Sequence, residues 1–501
     1  MPLQHPAAVS FVCNDYKRKA GNNPSVKDIL FRFFLPAYGL HTGLPCSAEA
    51  AACYNTDMKL FHGKLKIRSA QIILLGFLLV ILAGALLLML PASSLDGRPA
   101  DFLTALFTST SSACVTGLIV RDTATSWSFL GQFIILSLIQ LGGMGVVTAM
   151  VVITMVSGRK ITLMQREVMQ DSISAPQVGG VVRLTRFFLR GIILIELTGA
   201  AVMTPVFVRD FGFPRGLWYG IFHSVSAFCN AGFDLMGIRS PFSSLTTYAY
   251  EPEVIIPVML LIITGGIGFL TWADICRWRF RFSRYRMQSK VILVTTLFLI
   301  VIPAVCFYCL DYAGMPLKQR LMLSLFQAVT PRTAGFNSAD YTSMSEPGIL
   351  LTILLMLIGG SPGSTAGGMK TTTFALLVLT TQAVFRKKSD TTCFGRRIEI
   401  ETVRYALAIA FLYISLFLLG GMIICAVEGL PLLTCLFETA SAIGTVGLTL
   451  GITPHLHAVS KLILIALMYF GRVGGLTMIF AIIPGIRSGS ARLLPEKITV
   501  G

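Results

Sequence analysis

Apolar residues gather in eight helix-length runs that come in pairs along the chain. The pairs are about 69–91 with 129–157, 188–208 with 253–275, 289–310 with 349–385, and 403–426 with 459–486. Crossing about 30 Å of hydrocarbon takes roughly 20 helical residues, so each run predicts a membrane span. Between the members of each pair lies a semi-polar segment of 10 to 14 residues. Such a segment is too short to cross and is expected to be re-entrant or interfacial.

The short segments repeat. Residues 105–118, 220–233, 324–336 and 435–448 each carry a phenylalanine (Phe107, Phe222, Phe326, Phe437), then small residues, then a glycine followed by Leu or Phe. The glycines are Gly117, Gly232, Gly335 and Gly447, spaced by 115, 103 and 112 residues. A period of this kind marks an internal repeat. The second spans repeat as well, through Gly142-Gly143, Gly265-Gly266, Gly359-Gly360 and Gly474-Gly475. Two spans per unit return every copy in the same orientation, so the repeats are parallel about an axis normal to the membrane. The predicted fold is an all-α membrane protein: four helix–pore-loop–helix repeats with pseudo-fourfold symmetry around a central ion pore. The expected boundaries are an N-terminal cytoplasmic extension 1–68, repeats 69–157, 188–288, 289–385 and 403–486, and a cytoplasmic tail 487–501.

Non-helical backbone at membrane depth must face protein or a water-filled cavity. Four glycine-marked loops on one axis would present carbonyl oxygens that replace a cation's hydration shell. Glycine suits such a loop because it visits φ > 0 and lets the ion approach without a Cβ. The short helices would point their negative dipole ends at the cation. The expected ion-binding filter is Val115, Thr116 and Gly117; Asn230, Ala231 and Gly232; Thr333, Ala334 and Gly335; and Thr445, Val446 and Gly447. The one carboxylate in these segments, Glu438, is expected at the start of its helix.

The third repeat departs from the others in its second span, broken over 359–371 by Pro362 and five glycines. Neither residue type sustains a helix interior. A gating intramembrane loop is expected there, formed by Gly360, Ser361, Pro362, Gly363, Ser364, Thr365, Ala366, Gly367, Gly368 and Lys370. The G-x-x-x-x-G spacing from Gly363 is no phosphate loop, since Met369 separates it from Lys370 and no strand precedes it. Arg472, inside the last apolar run, belongs to the same gate on the ground that an intramembrane charge is costly and by default functional. It is expected either to pair with filter-loop carbonyls or to repel cations, the alternative being a snorkelling or structural arginine. Glu196 also lies within a span, with packing and functional roles equally open. His455 and His457 have no nearby carboxylate in sequence and read as surface residues. The scattered cysteines, Cys306, Cys309 and Cys425 among them, read as small buried side chains.

Composition agrees with this picture. The chain has 501 residues, 54% hydrophobic and 13% charged, against about 25% charged in soluble domains. Its net charge is +17. The basic residues cluster six at a time in 159–190, 277–290 and 386–404, while 337–350 has none. That alternation is the positive-inside pattern, so the charge reports orientation and contact with anionic membrane lipids rather than nucleic acid. Both termini are then cytoplasmic. No signal peptide is expected, because the first apolar run begins near Ser69.

The strings Cys114-Val-Thr-Gly-Leu118, Ser226-Ala-Phe-Cys-Asn-Ala-Gly-Phe-Asp234, Thr330-Pro-Arg-Thr-Ala-Gly-Phe-Asn337 and Gly359 through Lys370 carry a family resemblance. Over about 69–490 the chain resembles the Trk/Ktr/HKT superfamily of potassium transporters, and within it the bacterial KtrB type more than the longer TrkH type. The resemblance implies a K⁺-selective filter with one glycine per repeat, a gating intramembrane loop and a homodimer with one pore per protomer. It also implies a KtrA-like cytosolic ring of nucleotide-binding regulatory subunits. Glycine rather than serine at position 117 implies K⁺ over Na⁺. The expected function is K⁺ uptake across a bacterial inner membrane, channel-like or coupled to Na⁺, with no cofactor on this chain and no enzymatic chemistry. The rivals are an ion-coupled transporter of another solute, a Na⁺-permeable relative, and a membrane-embedded enzyme.

Overall fold

The computed structural model describes residues 69–145, 148, 149, 170 and 181–482. The predicted extension 1–68, the end of the first repeat, the last residues of the fourth (483–486) and the tail 487–501 lie outside the described residues. The chain divides into two compact units, Met1–Lys66 and Ile67–Gly501, and the described helices all belong to the second.

Four long apolar helices provide the frame: α1 (Ser69–Leu88), α4 (Val181–Phe211), α8 (Met287–Leu310) and α12 (Ile400–Glu428). Helix α1 has 20 residues and a mean hydropathy of 2.8, so at 1.5 Å per residue it reaches about 30 Å. Its outward face is leucine-rich, with Leu79 and Leu86 exposed, while small Gly84 and Ala85 are buried inward. Large residues facing lipid and small ones facing helices is the arrangement that packing in a bilayer favours, because close backbone approach replaces the hydrophobic drive available in water.

Each long helix is followed by a shorter one: α2 (Phe102–Ala113), α5 (Phe213–Cys229), α9 (Leu317–Val329) and α13 (Leu432–Gly444). Helix α2 starts where Asp101 accepts hydrogen bonds from the Leu103 and Thr104 amides. That is a side-chain cap satisfying two orphan donors. Helix α5 has 17 residues, longer than the sequence segment suggested. The four matched phenylalanines, Phe107, Phe222, Phe326 and Phe437, are all fully buried. They are the apolar anchors that seat each short helix.

The second member of every pair is broken, not the third alone. Helix α3 (Phe129–Met144) ends at Gly145. Helices α6 (Pro252–Gly266) and α7 (Phe269–Trp278) meet at a 99° bend around Gly268. Helices α14 (Ala458–Val473) and α15 (Gly475–Ile482) meet at Gly474. Gly145, Gly268 and Gly474 have φ of 83°, 88° and 90°, which helical residues do not adopt. This corrects the glycine register: the equivalent pairs are Gly142 with Gly145, Gly265 with Gly268, and Gly471 with Gly474. In the third repeat the corresponding break is a longer segment, 358–370, between α10 (Glu346–Leu357) and α11 (Thr371–Phe385). A small antiparallel hairpin, β1 (Thr392–Cys393) with β2 (Arg396–Arg397), joins α11 to α12 and is the only strand pair among the described residues.

Glu438 departs from expectation, and other polar residues meet partners distant in sequence. Glu438 lies well inside α13, fully buried, where it accepts from the Thr449 and Thr453 hydroxyls. His457 is exposed as expected but meets a carboxylate distant in sequence, with its Nδ1 2.8 Å from Glu428. Glu196 bridges helices: Gln140 Nε2 donates to it at 3.3 Å, and its own carbonyl accepts from Ser224. Among the described residues the thiols are free, but Cys309 is exposed and Cys306 and Cys425 are half-buried, so they are not uniformly core residues.

Candidate functional site: a glycine ring and the segment packed against it

The short helices α2, α5, α9 and α13 run directly into four loops with one backbone signature. In each, the glycine and the residue two before it have positive φ: Val115 (57°) and Gly117 (95°), Asn230 (60°) and Gly232 (69°), Thr333 (64°) and Gly335 (78°), Thr445 (50°) and Gly447 (95°). The residue between them does not. Glycine adopts this region freely, whereas an L-residue there costs about 1–2 kcal/mol. Val115, Thr333 and Thr445 are β-branched, for which such angles are outliers. Strain of this kind persists where surrounding structure enforces it, and it gathers at functional sites.

The enforcing contacts repeat too. The Ser111 carbonyl accepts from the Thr116 amide at 2.8 Å, and the Ser111 hydroxyl accepts from the Gly117 amide at 3.0 Å. Ser441 does the same for Val446 and Gly447, at 2.8 and 3.0 Å. In the other two copies the hydroxyl turns and donates instead: Ser226 to the Phe233 carbonyl and Thr330 to the Phe336 carbonyl, both at 2.7 Å. These four hydroxyls were not singled out from the sequence, although they stand six residues before the glycine in three copies and five in the third.

The loops approach one another in chain order and close on themselves. A Cβ built on Gly232 would lie 2.7 Å from the Ala334 oxygen and 2.9 Å from Gly335 Cα. On Gly335 it would strike the Val446 oxygen and lie 3.2 Å from Gly447 Cα. On Gly447 it would strike the Thr116 oxygen and lie 2.9 Å from Gly117 Cα. On Gly117 it would strike the Ala231 oxygen and lie 3.2 Å from Gly232 Cα. The four glycines therefore form a closed ring, with the carbonyl oxygen of the residue before each glycine lodged against its neighbour. Asn230 Nδ2 ties the second loop to the third, donating to Arg332 O at 3.3 Å and to Thr333 Oγ1 at 3.2 Å.

The ends of the short helices also need small neighbours. A Cβ on Gly142, Gly265 or Gly471 would strike the carbonyl oxygen of Ala113, Phe228 or Ile443, respectively. Each of these carbonyls lies four residues before its ring glycine.

Against the ring lies the segment 358–370. Its two ends are joined by a parallel bridge between Ile358 and Met369. The Ser361 and Thr365 amides donate to the Gly266 and Gly265 carbonyls at 3.0 and 3.3 Å, and the Phe269 amide donates to Gly363 at 2.8 Å. The Gly368 amide donates to Gly471 at 3.1 Å. The segment is thus hydrogen-bonded to the breaks of the second and fourth repeats. Thr365 Oγ1 also donates to Phe228 O at 3.1 Å, at the base of the second loop. Gly367 abuts the Thr445 side chain, so a Cβ there would collide with Oγ1. Gly360, Ser361, Pro362, Ser364 and Ala366 lie within this stitched segment, and Lys370 turns back to donate to Ala366 O at 2.9 Å.

Arg472 supplies the link to the first repeat. Its Nη1 donates to the Thr365 carbonyl, and its Nη2 donates to the carbonyls of Gly142 and Gly143, the latter at 3.2 Å. The guanidinium thus joins the segment to the broken end of α3, not to the ring carbonyls, which corrects the first of the two roles expected for it. A cavity of about 280 Å³ opens beside it, lined by Arg472, Lys370, Ser364, Gly145 and Gly474 among others. Another arginine that sequence reasoning did not single out, Arg332, is buried and donates to Thr296 Oγ1 at 3.3 Å. No cluster of three or more metal-binding side chains occurs among the described residues.

The sequence model of the TrkH family, described as a cation transport protein, matches residues 47–490. The match begins 22 residues earlier than the resemblance read from the loops. The potassium/sodium uptake protein NtpJ of Enterococcus hirae is 39% identical over 427 residues, covering 83% of this chain and 93% of the relative. The Ktr system potassium uptake protein B of Bacillus subtilis is 40% identical over 417 residues, covering 82% and 92%. Among solved structures, the potassium transporter TrkH of Vibrio parahaemolyticus superposes with a TM-score of 0.67 at 17% identity, covering 87% of this chain and 88% of that one. That likeness concerns the helical fold.

Proposed function

Because this chain belongs to the TrkH family of cation transport proteins, a family of multi-pass membrane proteins, we propose that it takes up K⁺ through the glycine ring and that the segment 358–370 gates the path. The single observation that carries the reading is the closed ring itself. Alternating positive and ordinary φ turns successive carbonyls toward one side, and four such strips around one axis offer a dehydrating cation oxygens without a carboxylate. The ends of α2, α5, α9 and α13 add the negative ends of four helix dipoles.

The recurrence of long helix, short helix, loop and broken helix supports a pseudo-fourfold arrangement of parallel repeats about that axis. Residues 115–117, 230–232, 333–335 and 445–447 would be the filter. The hydrogen bonds from 358–370 to the breaks of other repeats support a gate that spans the axis, with Arg472 as its latch. Relatives named as parts of a Ktr system support a membrane subunit that works with a regulatory partner. A homodimer, a cytosolic nucleotide-binding ring, a bacterial inner-membrane location and cytoplasmic termini complete the proposal, with Na⁺ as the candidate coupling ion.

The test is Rb⁺ and K⁺ uptake in a K⁺-auxotrophic bacterium, with and without Na⁺. Wild type should restore growth at low K⁺, and Gly117→Ser should weaken discrimination against Na⁺. An unchanged K⁺/Na⁺ preference in that variant, at normal membrane abundance, would remove the filter assignment.

A further inference from the structure

A groove of about 760 Å³ runs down the membrane-facing surface between α8, α10, α11 and α12. Its walls are almost wholly hydrocarbon: Phe298 and Ile302 from α8, Leu354 from α10, Val378 from α11 and Ile414 from α12 are all exposed. Two features set it apart from the ordinary lipid-facing surface of a span.

The first is its floor. Ile358 and Met369, the bridged ends of the segment packed against the ring, both line the groove. Whatever fills it presses on the base of that segment. The second is its mouth. The groove ends at Phe394, the tip of the β1–β2 hairpin. The Lys290 ammonium sits 5.7 Å from the Phe394 ring centroid and 5.9 Å from that of Phe282. Around this mouth, 277–290 and 386–404 together carry twelve basic side chains and three acidic ones. Arg286 and Arg397 are paired with Asp274 and Asp390, whereas Lys290, Lys388 and Arg396 form no ion pair among the described residues.

We propose that this groove binds one anionic phospholipid, an acyl chain lying against Ile358 and Met369 and the phosphate headgroup meeting Lys290 and Arg396. The occupant is argued from complementarity at both ends. A long cleft nearly free of polar groups at membrane depth takes hydrocarbon, and basic side chains at its mouth that lack a carboxylate partner, Lys290 donating only to the Ser283 carbonyl at 2.8 Å, take a negative headgroup. A second copy of this chain would bring its own basic mouth to the same place, setting like charges against each other. The bound lipid holds the two ends of the segment together, so occupancy stabilises its seated arrangement. That effect on flux rests on the gating role given above; the lipid binding does not.

The probe is phosphatidylglycerol against phosphatidylcholine, read by native mass spectrometry of the purified full-length protein released from detergent. Wild type should retain phosphatidylglycerol with a roughly thirtyfold preference, the factor that two basic groups near an anionic headgroup supply. Val378→Trp and Leu354→Trp place bulk in the groove from exposed positions and should abolish retention of both lipids. The double variant Lys290→Gln with Arg396→Gln should keep retention but lose the preference. Equal retention of the two lipids by wild type, or retention indifferent to both tryptophan variants, overturns the proposal. So does a dimer-to-monomer shift in the tryptophan variants with lipid retention intact, which assigns the groove to a second copy. Rb⁺ flux into vesicles of either lipid is the separate arm: lipid retained without any change in flux would count against the gating role and leave the site standing.

Discussion

Replacing Gly232 by alanine isolates what the ring contributes. Two penalties arise. The first is conformational: at φ 69° an alanine costs about 1–2 kcal/mol. The second is steric: the new methyl would lie 2.7, 2.9 and 3.1 Å from the Ala334 oxygen, Gly335 Cα and Gly335 C. All three are backbone atoms of the next loop, which is itself held by Thr330 and the Asn230 amide, so neither side yields cheaply. Overpacking of this kind costs about 1–3 kcal/mol. Gly429 provides the control, because its φ is 67° and a Cβ there meets nothing within 4 Å. Gly429→Ala therefore carries the first penalty alone. At 1.4 kcal/mol per tenfold, the difference between the two variants should be roughly 5- to 150-fold in Rb⁺ uptake efficiency, normalised to protein in the membrane. The assay is initial-rate uptake across a concentration series in the K⁺-auxotroph, with thermal stability of the purified variants beside it. If Gly232→Ala transports as well as Gly429→Ala at equal abundance, the glycines do not line the ion path.

Three further outcomes are expected. Arg472→Gln takes the guanidinium from the Thr365, Gly142 and Gly143 carbonyls; Gly142 keeps the Gly145 amide as donor, while a buried carbonyl left unpaired costs about 1–3 kcal/mol, so the variant should lower the melting temperature while raising basal Rb⁺ flux; a stable variant with unaltered flux contradicts the latch. Shortening 361–368 should likewise raise flux if the segment obstructs the path, and equal flux would reduce it to a packing element. Asp234 lies in the connection after the second loop, where burial, opposed by the Met236 amide and reinforced by the Asp122 carboxylate, pushes its carboxyl up to about 7. The folded form then holds a proton that the unfolded chain releases near pH 4, so stability should fall as pH rises from about 4 to 7, and Asp234→Asn should flatten that slope in melting scans.

Much of this architecture was legible because it is written in local pattern. Apolar run length marked the spans, and the interval from Phe107 to Gly117 recurred closely enough to align all four loops. What escaped was of two kinds. The glycine register of the second spans was misjudged because adjacent pairs such as Gly474-Gly475 look alike in sequence; the backbone distinguishes the glycine that meets a helix end from the one that ends the span. The cross-links were invisible for a different reason. Asn230 with Thr333, Thr365 with Phe228 and Arg472 with Gly142 join residues 103, 137 and 330 apart, and no local periodicity reports them. Ser111, Ser226, Thr330 and Ser441 lie between these cases. Their offsets were visible, but only the bent backbone they pin shows why a hydroxyl stands there.

The ring is closed by four stretches of one polypeptide, and this permits an asymmetry that separate identical subunits could not support. If the bar crosses the axis, as proposed for the gate, there is room for one copy; four identical subunits would each bring their own and collide. Covalent fusion of the quarters lets the first, second and fourth keep short, simple kinks while the third grows the bar, and lets Arg472 from the last quarter fasten it to the first.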